Sequence, residues 1–432
     1  MVNISLPCTY GKWHVGGKIP RSGNGELEKH NMITAESHDW EKPLIDGPQD
    51  IGFDDSYITI SGIQSPPYSF FPDGYLTTSK SESFWWNKGA YNTTFGKSVI
   101  LREGKGDPNW DSSKYNQILV NETEAFLDMY LTEGSNDPFF TYAALGAVHE
   151  PQSPPDTYMD GTKIAGTYES PHMDMLFEMD KAIGSIVTMI EDRGLAENTI
   201  IIFTSDNGGI KKDKSSEHGH YSNGPFRGHK GDVYKGGTRV PMIIHYDGHF
   251  PQDEQRWNLI GLQDLYATIC ELTGIAVPYS SAQDSLSFAE YIKDGNAKSP
   301  RQWQASWAYN KFGMTAQSIR KGMFKVVRHM WPEQRIEFFN LAKDISEKDN
   351  LVHRKYLKTQ KRKMLKKLRK IGACPGRDRR MPFELEGGPN NGKSVTCNWF
   401  KEKSGRCKGI PEGEIYCPSV CNRHRNFCRK NS

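Results

Sequence analysis

The sequence predicts an α/β fold: a largely parallel sheet flanked by helices, with a cysteine-rich tail behind it. Three observations carry this. Short, continuous apolar runs bounded by polar residues recur at Pro138 to Leu145, Ile200 to Phe203 and Met242 to Tyr246. Strands buried on both faces of a parallel sheet read this way. Segments with apolar residues at helical spacing precede the first two runs, so the chain alternates helix and strand as in βαβ units. Beyond residue 373 the character changes, and Cys374, Cys397, Cys407, Cys417, Cys421 and Cys428 crowd the end of the chain.

At 432 residues the chain has room for two or three domains. Its 55 basic and 52 acidic residues nearly cancel, for a formal charge of +3, so charge gives no reason to expect a nucleic-acid partner. Apolar residues make up only 36%, polar for an enzyme, but aromatic side chains are plentiful enough for a core. No apolar run approaches the ~18 residues of a membrane span. The opening MVNISLPCTYGKWHVGG has no basic start followed by an apolar core, so no signal peptide is expected in this chain. Acceptor sequons at Asn3, Asn92 and Asn121 hint at a secretory route and mark glycosylation candidates.

Each element has its own reason. Lys12 and His14 lie two apart in Gly11-Lys12-Trp13-His14, which on an extended segment turns both to one face, toward one anion. Gly52-Phe53-Asp54-Asp55 reads as a turn. Residues 74 to 115 are rich in Gly, Ser, Asn and Trp with little periodicity and read as loops. Trp85, Trp86, Tyr91 and Trp110 there are stacking surfaces for a sugar or aryl group, or pins that hold the loops. Ile118 to Leu131 reads as an amphipathic helix through Leu119, Phe126, Met129 and Tyr130. The strand over 138 to 145 delivers His149. Met175 to Arg193 reads as a helix with Met179, Ile183, Ile186, Val187 and Ile190 on its core stripe, closed by Gly194.

The strand at 200 to 203 then ends in Thr204-Ser205-Asp206-Asn207-Gly208. In open α/β sheets ligands gather at the carboxyl ends of strands. Asp206 and Asn207 offer oxygens of the kind a hard cation takes there, although Asp-Asn-Gly-Gly is also an ordinary strand-ending turn. Lys230, in a glycine-lined turn, is a partner for an anion. Gly261 to Thr273 reads as a helix with Leu262, Leu265, Tyr266, Ile269 and Leu272 on one stripe and Cys270 as a buried thiol. LKTQKRKMLKKLRKI, residues 357 to 371, is a basic helix. It suits either an anionic surface or, as the blander reading, a solvated face on a packed helix. The six tail cysteines read as a disulfide-stapled module with 15 pairings open, and Cys417, Cys421, His424 and Cys428 form a rival zinc set.

Taken in order, GKWHVGG, then SDNGG on a strand, GPFRGHKG and GGTRVP resemble the sulfatase family of the alkaline-phosphatase superfamily. GLQDLYATICELTGI resembles the family helix that closes its main domain. The resemblance implies a catalytic domain over 1–278, a smaller α+β C-terminal subdomain over 279–372, and leaves 373–432 as the cysteine module. It implies hydrolysis of sulfate esters, with Lys12, His14, His149 and Lys230 as catalytic residues and Asp206 and Asn207 as metal ligands. Lys12 and Lys230 would neutralise charge on the sulfate, His149 would protonate the leaving oxygen, and His14 would serve the nucleophile side. The implied cofactor is a divalent cation, calcium above others. The implied partner is a sulfated small molecule or glycan, handled on a secreted or lysosomal route by the full-length parent.

Four departures qualify this. The family's paired aspartates and its Cys-x-Pro-Ser-Arg signature, whose Cys or Ser becomes the formylglycine nucleophile, are absent from these 432 residues. Cys374-Pro375-Gly376-Arg377 and Cys417-Pro418-Ser419 put proline one place too early. The chain thus reads as a sulfatase lacking its beginning, inactive and poorly stable as it stands. Val148 and Glu150 depart from the family pattern around His149, and Lys235 stands where the family usually has an acid. Two rival functions are a catalytically dead binder of sulfated glycans and a related metal-dependent phosphoesterase. GKWH with RGxKG argues against the phosphoesterase.

Overall fold

The computed structural model describes residues 6–15, 17–20, 38–77, 82–134, 137–211, 218–278, 281–310, 313–330 and 332–371, together with a short strand pair at Phe383–Glu384 and Ser394–Val395. The chain forms two compact units. The first comprises Met1–Ile201, Lys212–Tyr221 and His245–His249; the second comprises Ile202–Lys211, Ser222–Ile244 and Phe250–Ser432.

In chain order the first unit carries strands β1 (Leu6–Lys12), β2 (Asp55–Thr59), β3 (Phe71–Pro72), β4 (Phe84–Trp86), β5 (Gly89–Thr93), β6 (Gly96–Ile100) and β7 (Gly104–Gly106), then helix α1 (Tyr115–Thr132), strand β8 (Phe139–Ala144) and helix α2 (Pro171–Asp192). Its main sheet has the order β3-β2-β1-β8. β1 runs parallel to both neighbours, with Lys12 opposite Thr59 and Gly11 opposite Ala144. β3 joins antiparallel at the β2 edge, so the expected parallel sheet is mixed at its margin. Gly11 has φ +101°, and a β-carbon there would lie 2.2 Å from the Ala144 carbonyl oxygen. Only glycine lets β1 and β8 meet at that level.

The helices form where the periodicity places them, and their caps set the ends. Ser170 accepts the Met173 N–H and Pro171 takes the first helical position, so α2 starts four residues before Met175. Gly194, at φ +69°, ends it as expected. On α1, Leu119, Val120, Phe126 and Leu127 are buried, whereas Met129, expected on the core stripe, is 40% exposed. These helices pack with Tyr10, Met175, Ala182 and Ile190 into one core.

The structure corrects two expectations here. Residues 84–106 are not plain loops: β4 pairs with β7 and β5 with β6, both antiparallel. Trp86 and Trp110 are buried and Tyr91 packs edge-on against Trp86, so these rings pin the segment. The apolar runs read as doubly buried strands are also only half covered. Every residue of β8 is half-buried or exposed, and Tyr142 is 50% exposed. The physical reason is that β8 ends its sheet, with a hydrogen-bonded neighbour on one side only among the described residues.

The second unit carries β9 (Ile201–Thr204), the short helix α3 (Lys235–Thr238), β10 (Met242–His245), α4 (Leu265–Leu272), α5 (Ala289–Lys293), β11 (Gln304–Asn310), β12 (Gly313–Lys321), β13 (Phe324–His329), β14 (Arg335–Asn340), α6 (Lys358–Ile371), and the pair β15 (Phe383–Glu384) and β16 (Ser394–Val395). Among the described residues β9 pairs with β10 alone. Both read as buried from sequence, yet β9 is half-buried throughout and Ile243 is 60% exposed. The helix expected over 261–273 is split into a tight turn at Leu262–Asp264 and α4. Tyr266 is exposed, and Cys270 is half-buried rather than buried. Asp264 accepts the Gly261 and Leu286 N–H groups and forms an ion pair with Arg301, so it is a structural anchor.

β11 to β14 form an antiparallel sheet in sequential order. α6 covers it: Leu357, Met364 and Leu368 pack on Ile319, Val326 and Phe338. The basic helix is therefore a packed helix with a solvated face. Cys8 and Cys270 are free thiols. Cys374, Cys397, Cys407, Cys417, Cys421 and Cys428, like Asn3, lie outside the described residues. Asn92 and Asn121 are exposed.

Candidate functional site

Lys12, His14 and His149 belong to the first unit; Asp206, Asn207 and Lys230 belong to the second.

In the first unit the parallel pairing sets the geometry. β1, β2 and β8 point the same way, so Lys12 at the end of β1 and the Gly146–His149 turn after β8 emerge at one carboxyl edge. That is where an α/β sheet binds ligands. Trp13 and His14 continue along β2, donating their N–H groups to the Thr59 and Ile60 carbonyls at 2.9 and 3.1 Å. His14, however, has φ +46°. The extended, alternating geometry ends at Lys12, so strand alternation does not bring His14 to the face of Lys12 as the sequence suggests. A β-carbon at Gly62 would lie 3.0 Å from the Lys12 side chain, so the close approach of that loop supports the lysine stem. Among the polar residues beside this edge, Ser65 is taken: its hydroxyl accepts from Arg102 at 2.9 Å.

His149 is half-buried, with Nδ1 2.7 Å from the Glu150 carbonyl and its own N–H on the Gly146 carbonyl at 3.0 Å. A carbonyl on Nδ1 requires a proton there and leaves Nε2 as the acceptor of the neutral ring. The turn before it is held from beneath. Asn116 Oδ1 accepts the Gly146 and Ala147 N–H groups at 2.8 and 3.3 Å, and Asn116 Nδ2 donates to Glu178 Oε2 at 2.9 Å. Glu178 is 1% exposed. Burial pushes its carboxyl up to about 7, against the bond from Asn116 that lowers it. Sequence reading missed this relay, because a Glu on a helix gives no sign of what it faces.

In the second unit the loop after β9 is closed by backbone. Gly208 donates to the Gly237 carbonyl at 3.2 Å, and Gly209 donates to Asn223 Oδ1 at 2.8 Å. Asp206 is exposed and Asn207 half-buried, with Nδ2 on the Gly208 carbonyl. Lys230 is half-buried, its N–H on the Gly209 carbonyl at 2.8 Å. Lys230 and the Asp206 loop thus share one backbone framework. Gly228 and Gly231, at φ +84° and +89°, make the turn that carries Lys230.

Arg227 is structural. It donates to the Glu347 carbonyl, pairs with Glu337 at 3.4 Å and stacks on Tyr234 at 4.0 Å. Glu337 also takes bonds from Tyr234 and His329. Burial works against its charge, but His329, Tyr234 and Arg227 hold it down to about 2.

A calcium ion takes about six to eight oxygens. Asp206 and Asn207 offer at most three, and among the described residues no group of three His, Cys, Asp or Glu is placed to hold a metal. The donors present do not by themselves fit calcium.

A family model for sulfatases matches residues 72–275. A second, described as N-sulphoglucosamine sulphohydrolase, C-terminal, matches residues 217–373. His149, Asp206, Asn207 and Lys230 lie within the first; Lys12 and His14 precede it. The N-acetylgalactosamine-6-sulfatase of Mus musculus is 30% identical over 210 residues, 48% of this chain and 38% of that protein. The N-acetylgalactosamine-6-O-sulfatase of Bacteroides thetaiotaomicron is 24% identical over 389 residues, 79% of this chain and 70% of that protein. A structure solved in work on glycosaminoglycan metabolism by Bacteroides thetaiotaomicron matches with a TM-score of 0.69 at 20% identity, covering 86% of this chain and 80% of that one. That likeness shows the fold: α/β, with a separate antiparallel-sheet C-terminal subdomain. The chain belongs to the sulfatase family, within the alkaline-phosphatase superfamily. Its match spans about two fifths of the mouse relative's length.

Proposed function

We propose that this chain supplies the substrate-binding and acid–base part of a sulfate ester hydrolase acting on a sulfated sugar. The observation that carries this is the parallel register of β1 and β8, which brings Lys12 and the His149 turn to one carboxyl edge. In this reading Lys12 and Lys230 neutralise the sulfate oxygens as charge grows on them. With Nε2 protonated as well, His149 donates that proton to the departing alcohol oxygen, and His14 assists on the nucleophile side. Asp206 and Asn207 contribute oxygens to a divalent-cation site, calcium by preference. The names of the mouse and Bacteroides relatives make a 6-sulfated N-acetylhexosamine the first substrate to try. The exposed sequons at Asn92 and Asn121 support handling on a secretory route, and among the described residues no helix is long and apolar enough to cross a membrane.

The attacking group expected of the family, a formylglycine, has no source in these residues. We therefore expect the 432-residue chain to release 4-methylumbelliferone from its sulfate no faster than its His149→Ala variant does. Turnover that His149→Ala abolishes would place a nucleophile within the chain and overturn this part of the reading. Faster release from the phosphate than from the sulfate would favour a phosphoesterase.

A further inference from the structure

We propose that Lys235, Arg239 and Arg320 form a second oxyanion site in this chain, one that receives an additional acidic group of the substrate. Lys235 is 6% exposed, and among the described residues its ammonium makes no hydrogen bond or ion pair. Its neighbour is the Phe226 ring, 5.7 Å away, and Arg239 lies over the same ring at 4.9 Å. The charges acting on Lys235 are, in order, Arg239, Arg320, Glu347 and Lys325: three cations to one carboxylate.

That carboxylate is already committed. Glu347 pairs with Lys325 Nζ at 2.7 Å and accepts the Lys235 backbone N–H at 2.7 Å. Glu337, the other acid of this region, is held by Arg227, His329, Tyr234 and Arg335. Among the described residues, neither glutamate pairs with the side chain of Lys235, Arg239 or Arg320.

A buried ammonium with cations around it and no anion of its own is costly. Burial, then Arg239 and Arg320, push it down to about 8, so most of its charge survives at neutral pH. A bound oxyanion would offset three positive charges and accept their N–H donors, the charge-assisted bonds that are strongest. Arg239 is exposed, so the cluster is open to solvent. α3 is also tied to the loop of Asp206 and Asn207 through the Gly237 carbonyl and the Gly208 N–H. An acidic substituent on the same substrate is thus the fitting occupant, a step that rests on the proposed function.

The test is acylation of the whole chain at pH 8, read by peptide mass spectrometry with the exposed Lys343 as internal reference. Sodium sulfate is expected to slow labelling of Lys235 about tenfold relative to Lys343, where sodium chloride at equal ionic strength does not. Arg320→Met is expected to remove that protection. Asp206→Ala is expected to keep it, so failure of the hydrolase reading leaves this result standing. N-acetylgalactosamine 4,6-disulfate should protect at lower concentration than the 6-sulfate; equal concentrations would make the free ion the occupant instead. Protection by chloride to the same degree, or protection unchanged in Arg320→Met, would overturn the site.

Discussion

Replacing Glu347 with Ala is expected to destabilise the second unit by about 3–5 kcal/mol, the cost of stripping one partner from a buried ion pair. Glu347 is 0% exposed and Lys325 4%. Without the carboxylate, the Lys325 ammonium is left inside with Arg320 and Arg227 acting on it, and its own burial already disfavours its charge. The Lys235 N–H loses its acceptor as well. The measurement is urea unfolding, read as a shift in midpoint at constant slope. Glu347→Gln keeps an acceptor for the N–H and should cost less. Lys325→Met combined with Glu347→Gln should recover part of the loss, because the uncompensated charge goes with its partner. If the double variant is as unstable as the sum of the two singles, the pair is not coupled as described.

The second large effect is a pH dependence. Glu178 has its carboxyl raised from an ordinary 4.5 to about 7, first through burial. Between those values the folded chain holds a proton that the unfolded chain releases. The stability tied to the neutral carboxyl is full below about pH 4.5 and is lost as pH rises through 7. Glu178→Gln keeps the shape and an acceptor for Asn116 but cannot ionise. Wild type and variant should be about equally stable near pH 4.5, with the variant ahead by about 3 kcal/mol at pH 8. Curves that stay parallel from pH 4.5 to 8 would show that Glu178 does not titrate in this window. The effect bears on the site because Asn116 ties Glu178 to the Gly146 and Ala147 amides just before His149.

The helices and strands were legible because each is a local pattern, such as apolar spacing or the glycine stop at Gly194, although the Ser170 cap that starts α2 was not read. Lys12, His149, Asp206, Asn207 and Lys230 stood out because they sit in ordered motifs at strand ends and in a glycine turn. What the sequence did not show depends on what lies across from a residue. The apolar runs of β8, β9 and β10 suit a covered strand, but nothing in the runs says whether a neighbour covers them. The alternation that aligned Lys12 with His14 fails at a single left-handed residue, which no periodicity marks. Glu178 meets a residue 62 positions away and Lys235 one 112 positions away. Neither partner is marked by any local pattern, and burial of both side chains follows from the fold.

The most direct test of the sulfate-ester reading is calorimetric binding of N-acetylgalactosamine 6-sulfate, its 6-phosphate and the unmodified sugar to the 432-residue chain and to Lys230→Met. The sulfated sugar is expected to bind at least about tenfold more tightly than either of the others, an advantage of about 1.4 kcal/mol, with that preference lost in Lys230→Met. Equal binding of sulfated and unmodified sugar, or tighter binding of the phosphate, would contradict it.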